Sequence, residues 1–274
     1  MKYQHINIEG IQLAFLESKG ITDDIIFLVH GNSTSARSWN KQLKSPDLSS
    51  YRMIAFDLPE HSESGSLVNT RFTCSLPQLG EILSAAVKQL SGNNRFILAG
   101  VSLGTNIIAE TLKYSIHPSG IALIGSCVIG GEFTLEKIFK KNIDLHAGFT
   151  DSVSEHELKK YAALAFSSDE EKDWLDFSTS YYQVKNNFRS KMFASVAAGD
   201  FSNEIDLLIQ QSAPVLVIFG EDEKVCEPDY LDEAGLNLWE NRTFKIENAG
   251  HFVNNDNPEV LNSLLGEFAS EVFR

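Results

Sequence analysis

The most constraining feature of this chain is a G-x-S-x-G motif at residues 100–104, which follows an apolar run and precedes an amphipathic stretch. The run before it is typical of a buried strand, and the stretch after it has helical spacing. A serine at a strand-to-helix turn between glycines is typical of a nucleophile whose hydroxyl projects from the end of a sheet. We therefore predict that Ser102 is a catalytic nucleophile; a capping serine at an ordinary turn is the alternative.

Short apolar runs alternate with amphipathic stretches along most of the chain. The predicted strands are Ile25–Val29, Met53–Phe56, Phe96–Ala99, Ile121–Ile124, Val215–Phe219 and a weaker Phe244–Ile246, after a hairpin over residues 4–8 and 11–17. The predicted helices are Leu76–Leu90, Thr105–Tyr114 and Pro258–Phe273. Strands that are apolar throughout are typical of a parallel sheet covered by helices on both faces. The sequence therefore predicts an α/β fold with a mostly parallel central sheet flanked by helices.

One long segment interrupts this alternation. Residues 130–208 contain no convincing buried strand and are polar and helix-prone, with scattered aromatic side chains. We interpret them as an inserted helical cap whose aromatics line a pocket, and residues 1–129 and 209–274 as the core. A set of ordinary surface helices is the alternative. Loops and insertions of this kind usually carry substrate selectivity.

A serine hydroxyl needs a base to take its proton, and the loop after the last predicted strand supplies His251. Imidazole ionises near neutral pH, so it can accept the serine proton and return it to a leaving group. An acid that orients the imidazole is expected after the preceding strand, where Glu221, Asp222 and Glu223 follow Gly220. The usual position of the acid, three residues after the glycine, favours Glu223, and Asp222 is the alternative.

Stabilising the oxyanion of an acyl-transfer reaction requires two N–H donors. The residue after the nucleophile, Leu103, is one candidate, and Asn32 in the loop after the strand Ile25–Val29 is the other. His30 in the same loop is expected to hold the backbone through its side chain and to take no direct part in catalysis.

The composition narrows the possible partners and location. A formal net charge of −14 without a basic cluster argues against nucleic acid, and the apolar runs are too short to cross a membrane. The N-terminus lacks the apolar stretch of a secretory signal, and three widely spaced cysteines are typical of a reduced, cytoplasmic protein. Of these, Cys226 is expected to be merely packed, and contact with the site is the alternative. The seven histidines form no local metal motif, so we expect neither a metal nor another cofactor.

Together these motifs resemble the α/β-hydrolase superfamily, and in particular its metal-independent N-acyl-homoserine lactonases. The matching segments are HGNSTS at 30–35, GEDE at 220–223, NLWE at 237–240 and NAGH at 248–251. The resemblance implies hydrolysis of a small acyl ester or lactone, with an N-acyl-homoserine lactone as the best single substrate and quorum quenching as the role. It also implies that Glu223 is the acid and that Tyr161, in the cap, contacts substrate.

The sequence departs from that family in the loop Asp57–Ser64. The family usually has glycine at the positions of Glu60 and Ser62, so positive φ angles there would be strained. The shape of this loop bears on the substrate more than on the triad. A carboxylesterase or a carbon–carbon bond hydrolase would use the same three catalytic residues, and a small-molecule receptor with residual activity would use the same pocket.

Overall fold

One mixed sheet organises the chain in the computed structural model, which describes residues 1–167 and 171–274. The strands of the described residues are β1 (Gln4–Ile8), β2 (Ile11–Ser18), β3 (Ile25–Val29), β4 (Arg52–Phe56), β5 (Phe96–Val101), β6 (Gly120–Ile124), β7 (Val215–Gly220) and β8 (Leu238–Ile246). They lie in the order β1-β2-β4-β3-β5-β6-β7-β8. The pairs β1–β2 and β2–β4 are antiparallel, and every other pair is parallel. The predicted α/β fold is confirmed.

Helices cover both faces of this sheet. They are α1 (Asn40–Leu43), α2 (Leu76–Ser91), α3 (Leu103–Thr111), α4 (Leu135–Ile138), α5 (His146–Phe149), α6 (Glu155–Ala165), α7 (Glu171–Tyr182), α8 (Phe188–Ala197), α9 (Glu204–Ile209), α10 (Val253–Asp256) and α11 (Pro258–Val272). Apolar residues of α2 and α3 pack in one core layer, and those of α11 pack in the other. Strands β3, β5, β6 and β7 are buried along their whole length, which explains their continuous apolar sequences. No helix within these described ranges has the length and hydropathy needed to cross a bilayer.

Two predicted elements begin two or more residues away from their observed start. Strand β8 begins at Leu238, well before the predicted Phe244, because an edge strand has one side in solvent and its first half carries polar residues. Helix α3 begins at Leu103, directly after the motif serine, and ends at Thr111 in a short 3₁₀ turn. The predicted start at Thr105 missed the first turn because glycine at 104 is a poor helix former by propensity.

The segment between β6 and β7 is helical, with α4 to α9 in its described residues. The buried Arg189 connects several of these elements. Its guanidinium donates to the carbonyl oxygens of Thr150 and Tyr181 at 2.7 and 3.0 Å, and it lies 3.8 Å from the centroid of the Tyr181 ring. A guanidinium with several oriented partners fixes the relative positions of those partners. The division of the chain into a core and a cap stays a prediction.

The loop that lacks the family glycines takes the strained conformation expected for it. Glu60 and Ser62 have φ angles of +67° and +42°. The Glu60 carboxylate accepts hydrogen bonds from the Leu67 N–H and from Asn186 Nδ2, both at 2.6 Å. Asn186 lies just before α8, so the Glu60 side chain joins this loop to the segment between β6 and β7. These charge-assisted hydrogen bonds offset the backbone strain.

We therefore expect Glu60→Gly to destabilise the protein, although glycine relieves the positive φ. The relief is about 1 kcal/mol, whereas hydrogen bonds to a charged group contribute about 1.5–3 kcal/mol each. The net loss in the free energy of unfolding should be about 2–5 kcal/mol, measured by urea denaturation. Asn69→Gly is the matched control, because Asn69 is exposed and has a φ of +65°. A Glu60→Gly protein as stable as the wild type would contradict this account.

Candidate active site

Ser102 occupies a strained turn between β5 and α3. Its backbone φ and ψ are +52° and −125°, a conformation that an L-residue adopts only when its surroundings impose it. Two neighbouring positions must be glycine, because other parts of the chain approach their Cα atoms too closely to leave room for a side chain. A Cβ atom at Gly104 would lie 2.4 Å from the carbonyl oxygen of Val29, and one at Gly31 would lie 3.1 Å from Ser102 Cβ. The turn therefore presents the Ser102 side chain at the end of the sheet.

His251 and Glu223 form a buried pair beside this turn. Their Nδ1 and Oε2 atoms are 2.8 Å apart, and the two side chains are 3% and 1% exposed. The other carboxylate oxygen of Glu223 accepts from the N–H groups of Val225 and Cys226 at 2.7 and 3.2 Å. Asp222 points elsewhere, and its carboxylate accepts from the Ser167 hydroxyl at 2.7 Å. Of the candidate acids, the structure thus places Glu223 against the histidine.

The Ser102 hydroxyl has a neighbour that no sequence motif predicts. Its Oγ lies 3.8 Å from Cys127 Sγ, and the Cys127 and His251 side chains also interact. Within the described part of the chain, no hydrogen bond joins Ser102 directly to His251. Catalytic hydrogen bonds often tighten only when substrate binds, so this geometry is compatible with proton transfer between them. The proximity of Cys127 to Ser102 could have been predicted from its position in the chain. Cys127 comes shortly after β6, at the same edge of the sheet where Ser102 follows β5.

Both predicted oxyanion donors line the same cavity as Ser102. Leu103 is the first residue of α3, so its N–H has no carbonyl partner one turn earlier. The Asn32 side chain is fixed at both ends, because Nδ2 donates to the Gly148 carbonyl at 2.6 Å and Oδ1 accepts from the Ser33 hydroxyl at 3.0 Å. These contacts anchor the Asn32 backbone against the helical segment.

His30 holds the same loop, as the sequence predicts. The Leu58 N–H lies 3.0 Å from His30 Nε2, which must therefore accept, and Nδ1 donates to the Gly31 carbonyl at 2.7 Å. Burial lowers the pKa of His30 to about 4, so the ring is neutral at physiological pH. A neutral ring with both nitrogens occupied has no capacity left for proton transfer.

Ser102 and His251 line the same cavity. Apart from those two, the polar lining residues are Asn32, Asn106, Cys127 and Tyr161, and apolar side chains form the rest of the wall. Tyr161 packs closely on Gly148, where a Cβ atom would lie 2.8 Å from the tyrosine hydroxyl. Burial raises the pKa of Tyr161, so its hydroxyl stays neutral and can donate a hydrogen bond. The described residues contain no cluster of side chains suited to a metal ion.

The family model described as "Alpha/beta hydrolase family" matches residues 26–264. This range includes every site residue described above. The chain belongs to the alpha/beta hydrolase family. No curated protein sequence matches the chain significantly.

Solved structures with the same fold as this α/β hydrolase include lactonases and esterases. A mutant of the N-acyl homoserine lactonase AidH, complexed with N-hexanoyl homoserine lactone, is 24% identical, with a TM-score of 0.89 over 99% of this chain and 98% of that one. A putative aryl esterase from Burkholderia cenocepacia is 18% identical, with a TM-score of 0.79 over 99% of both chains. A thermophilic esterase from Thermogutta terrifontis is also 18% identical, with a TM-score of 0.75 over 99% of both chains. These likenesses show a shared fold.

The electrostatics of the α/β-hydrolase site favour a charged pair. Burial alone would lower the pKa of His251, but the Glu223 carboxylate and the Cys127 side chain raise it above the usual imidazole value. Burial alone would raise the pKa of Glu223, but His251 and the two backbone N–H donors lower it. The imidazolium form of His251 is therefore stabilised, which helps it hold a proton taken from a nucleophile.

We expect Glu223→Gln to lower kcat/KM by about 10³- to 10⁴-fold, because an amide neither fixes the working tautomer nor stabilises the imidazolium. Asp222→Asn, which removes the adjacent carboxylate, should leave kcat/KM close to the wild-type value. Both variants can be compared on a chromogenic short-chain ester, with circular dichroism to check folding. A larger loss in Asp222→Asn than in Glu223→Gln would reverse the assignment of the acid.

The raised pKa of His251 predicts the pH dependence of the reaction. A general base must be neutral, so kcat/KM falls as pH falls through the pKa of His251. The midpoint of this acid limb should lie above 6.5, the value of a free imidazole. In Glu223→Gln the residual activity should show a midpoint at lower pH, because the carboxylate that favours the proton is gone. A wild-type midpoint at or below 6.5 would contradict the electrostatics described here.

Proposed function

We propose that this chain is a serine hydrolase that opens the ring of N-acyl-homoserine lactones and so removes a quorum-sensing signal. The observation that carries the proposal is a single cavity that holds Ser102 on a strained turn and His251 paired with a buried Glu223. This arrangement supports nucleophilic acyl transfer, because a base held by an acid lies in the same cavity as an otherwise weak nucleophile.

In the first half of the proposed reaction, Ser102 Oγ attacks the lactone carbonyl carbon while its proton passes to His251 Nε2. The negative charge that develops on the carbonyl oxygen is stabilised by the N–H groups of Asn32 and Leu103. When the tetrahedral intermediate collapses, the ring C–O bond breaks and the His251 proton moves to the departing oxygen. The product is an acyl-enzyme whose leaving hydroxyl remains tethered to the acyl group.

In the second half, His251 takes a proton from water, and the resulting oxygen nucleophile attacks the ester carbonyl of the acyl-enzyme. Collapse returns the proton to Ser102 Oγ and releases the ring-opened acid. Water must react before the tethered hydroxyl recloses the ring. A cavity wall that limits the motion of that hydroxyl while water reaches His251 would favour hydrolysis.

Two features support an acyl lactone as the substrate. The cavity has mostly apolar walls, which suit a hydrocarbon chain, and a small polar set around Ser102, which suits a lactone ring and an amide. A structure with a TM-score of 0.89 is a lactonase complexed with N-hexanoyl homoserine lactone. We assign Tyr161 as a hydrogen-bonding contact for the polar part of this substrate, because it lies in the cavity wall with a neutral hydroxyl.

Carboxylesterase activity is the second candidate, and the similarity to two esterase structures favours it. An ester whose alcohol is free to diffuse away would use the same residues and the same two steps. Because the triad is common to both reactions, only a comparison of substrates separates them.

The decisive experiment is a panel of N-acyl-homoserine lactones of graded chain length beside simple esters, with products followed by mass spectrometry. We expect ring-opened acids from the lactones, and a loss of up to about a millionfold in turnover for Ser102→Ala. Ser263→Ala is the control, because Ser263 is an exposed serine on α11. Its rate should equal that of the wild type.

The panel also decides between the candidates. Ester hydrolysis without any lactone opening would replace the lactonase proposal with the esterase one. Lactone opening that persists in Ser102→Ala would show that this serine is not the nucleophile.

A further inference from the structure

Two buried thiols lie side by side next to the candidate active site. Cys127 Sγ and Cys226 Sγ are 3.4 Å apart, and neither cysteine is in a disulfide. The two residues follow β6 and β7, which are adjacent parallel strands, so the sheet itself brings them together. The proposed hydrolase mechanism uses neither sulfur.

Each thiol is connected to a different part of the site. Cys127 lines the cavity, and its Sγ lies 3.8 Å from Ser102 Oγ. Cys226 lies deeper, and its backbone N–H donates to Glu223 Oε1 at 3.2 Å. A small molecule that enters the cavity therefore meets the Cys127 sulfur first, with Cys226 directly behind it.

The surroundings of Cys127 favour its reactive form. A hydrogen bond from the Cys226 thiol and the nearby His251 ring outweigh burial and lower the pKa of Cys127 to about 6. The thiolate is the nucleophilic form of cysteine. A thiolate with a second thiol in contact is the arrangement that converts a first oxidation into a disulfide.

We propose that Cys127 and Cys226 form an oxidation site for small hydroperoxides. The Cys127 thiolate attacks one peroxide oxygen, the O–O bond breaks, and hydroxide or alkoxide leaves, so that Cys127 becomes a sulfenic acid. The Cys226 thiol then attacks this sulfur and expels water, which forms the Cys127–Cys226 disulfide. In total, two thiols are oxidised to one disulfide and one peroxide is reduced. Hydrogen peroxide gives two molecules of water, and an alkyl hydroperoxide gives one alcohol and one water.

Closure of this disulfide should inhibit hydrolysis. Bonded sulfurs lie about 2.05 Å apart, so the two atoms must approach each other by more than about 1 Å. That movement changes the position of Cys127 relative to Ser102, or strains the hydrogen bond from the Cys226 N–H to Glu223. Displacements of this size around reacting groups typically cost about a hundredfold in rate. This consequence rests on the proposed function, whereas the disulfide itself does not.

The test is peptide mapping of the whole protein after treatment of the reduced form with hydrogen peroxide at near-stoichiometric amounts. We expect the intact mass to fall by two hydrogen atoms and a peptide pair to be joined through residues 127 and 226. Dithiothreitol should reverse both changes. In the same samples, kcat/KM should fall about a hundredfold and recover with dithiothreitol.

Three variants separate this site from general oxidation. Cys74→Ala removes the third cysteine and should still form the disulfide. Cys226→Ala should form no disulfide and should carry a sulfenic acid at Cys127 that dimedone traps. Cys127→Ala should do neither, and the activity of each variant is compared with its own untreated sample.

Free thiols at both positions after peroxide treatment would overturn the proposal, as would preferential oxidation of Cys74. A disulfide that forms without a change in kcat/KM would refute the inhibition while the oxidation site stands. A reduced protein that hydrolyses none of the lactones or esters would refute the proposed function, and the mass measurement would still decide the oxidation site.

Discussion

Parallel pairing of four neighbouring strands is the constraint on which the site depends. Strands β5, β6, β7 and β8 all run in the same direction, so their carboxyl ends lie at one edge of the sheet. The loops that follow them carry, in that order, Ser102, Cys127, Glu223 and His251. The pairing of the strands thus brings residues that are distant in sequence to the same edge of the sheet. Loop variation can then alter the chemistry without altering the scaffold.

The segment between β6 and β7 is tied to this edge by polar contacts that also fix catalytic loops. Asn32 is bound to the Gly148 carbonyl, and Arg189 donates to the Ser33 hydroxyl at 3.3 Å. Glu60 makes a comparable connection to Asn186. A shift of the helical segment would therefore move the proposed oxyanion donor as well as the cavity wall. In this way the shape of the pocket and the geometry of catalysis are coupled.

The sequence predicted the central sheet, Ser102 and His251 because each depends on a local pattern: apolar runs, a turn motif and chain order. It favoured Glu223 over Asp222 only through the usual position of the acid and the family resemblance. The two carboxylates are chemically equivalent, and the direction of the turn after β7 decides which one meets the imidazole. The role of Cys127 was invisible for a related reason. A single cysteine has no motif of its own, and its contact with Ser102 exists only through the pairing of β5 with β6.

The position of Cys127 bears directly on how His251 works. Glu223 occupies Nδ1 of the imidazole, which leaves Nε2 for both Ser102 and Cys127. The thiol is the more acidic of the two, so in the unliganded protein it competes effectively with the hydroxyl for this nitrogen. In the proposed mechanism a bound carbonyl changes this balance, because the proposed oxyanion donors stabilise the charge formed when Ser102 attacks, and the serine proton then goes to Nε2. Under that proposal, substrate binding completes the arrangement of nucleophile and base, and a ligand that does not engage the proposed oxyanion donors leaves the imidazole with the thiol.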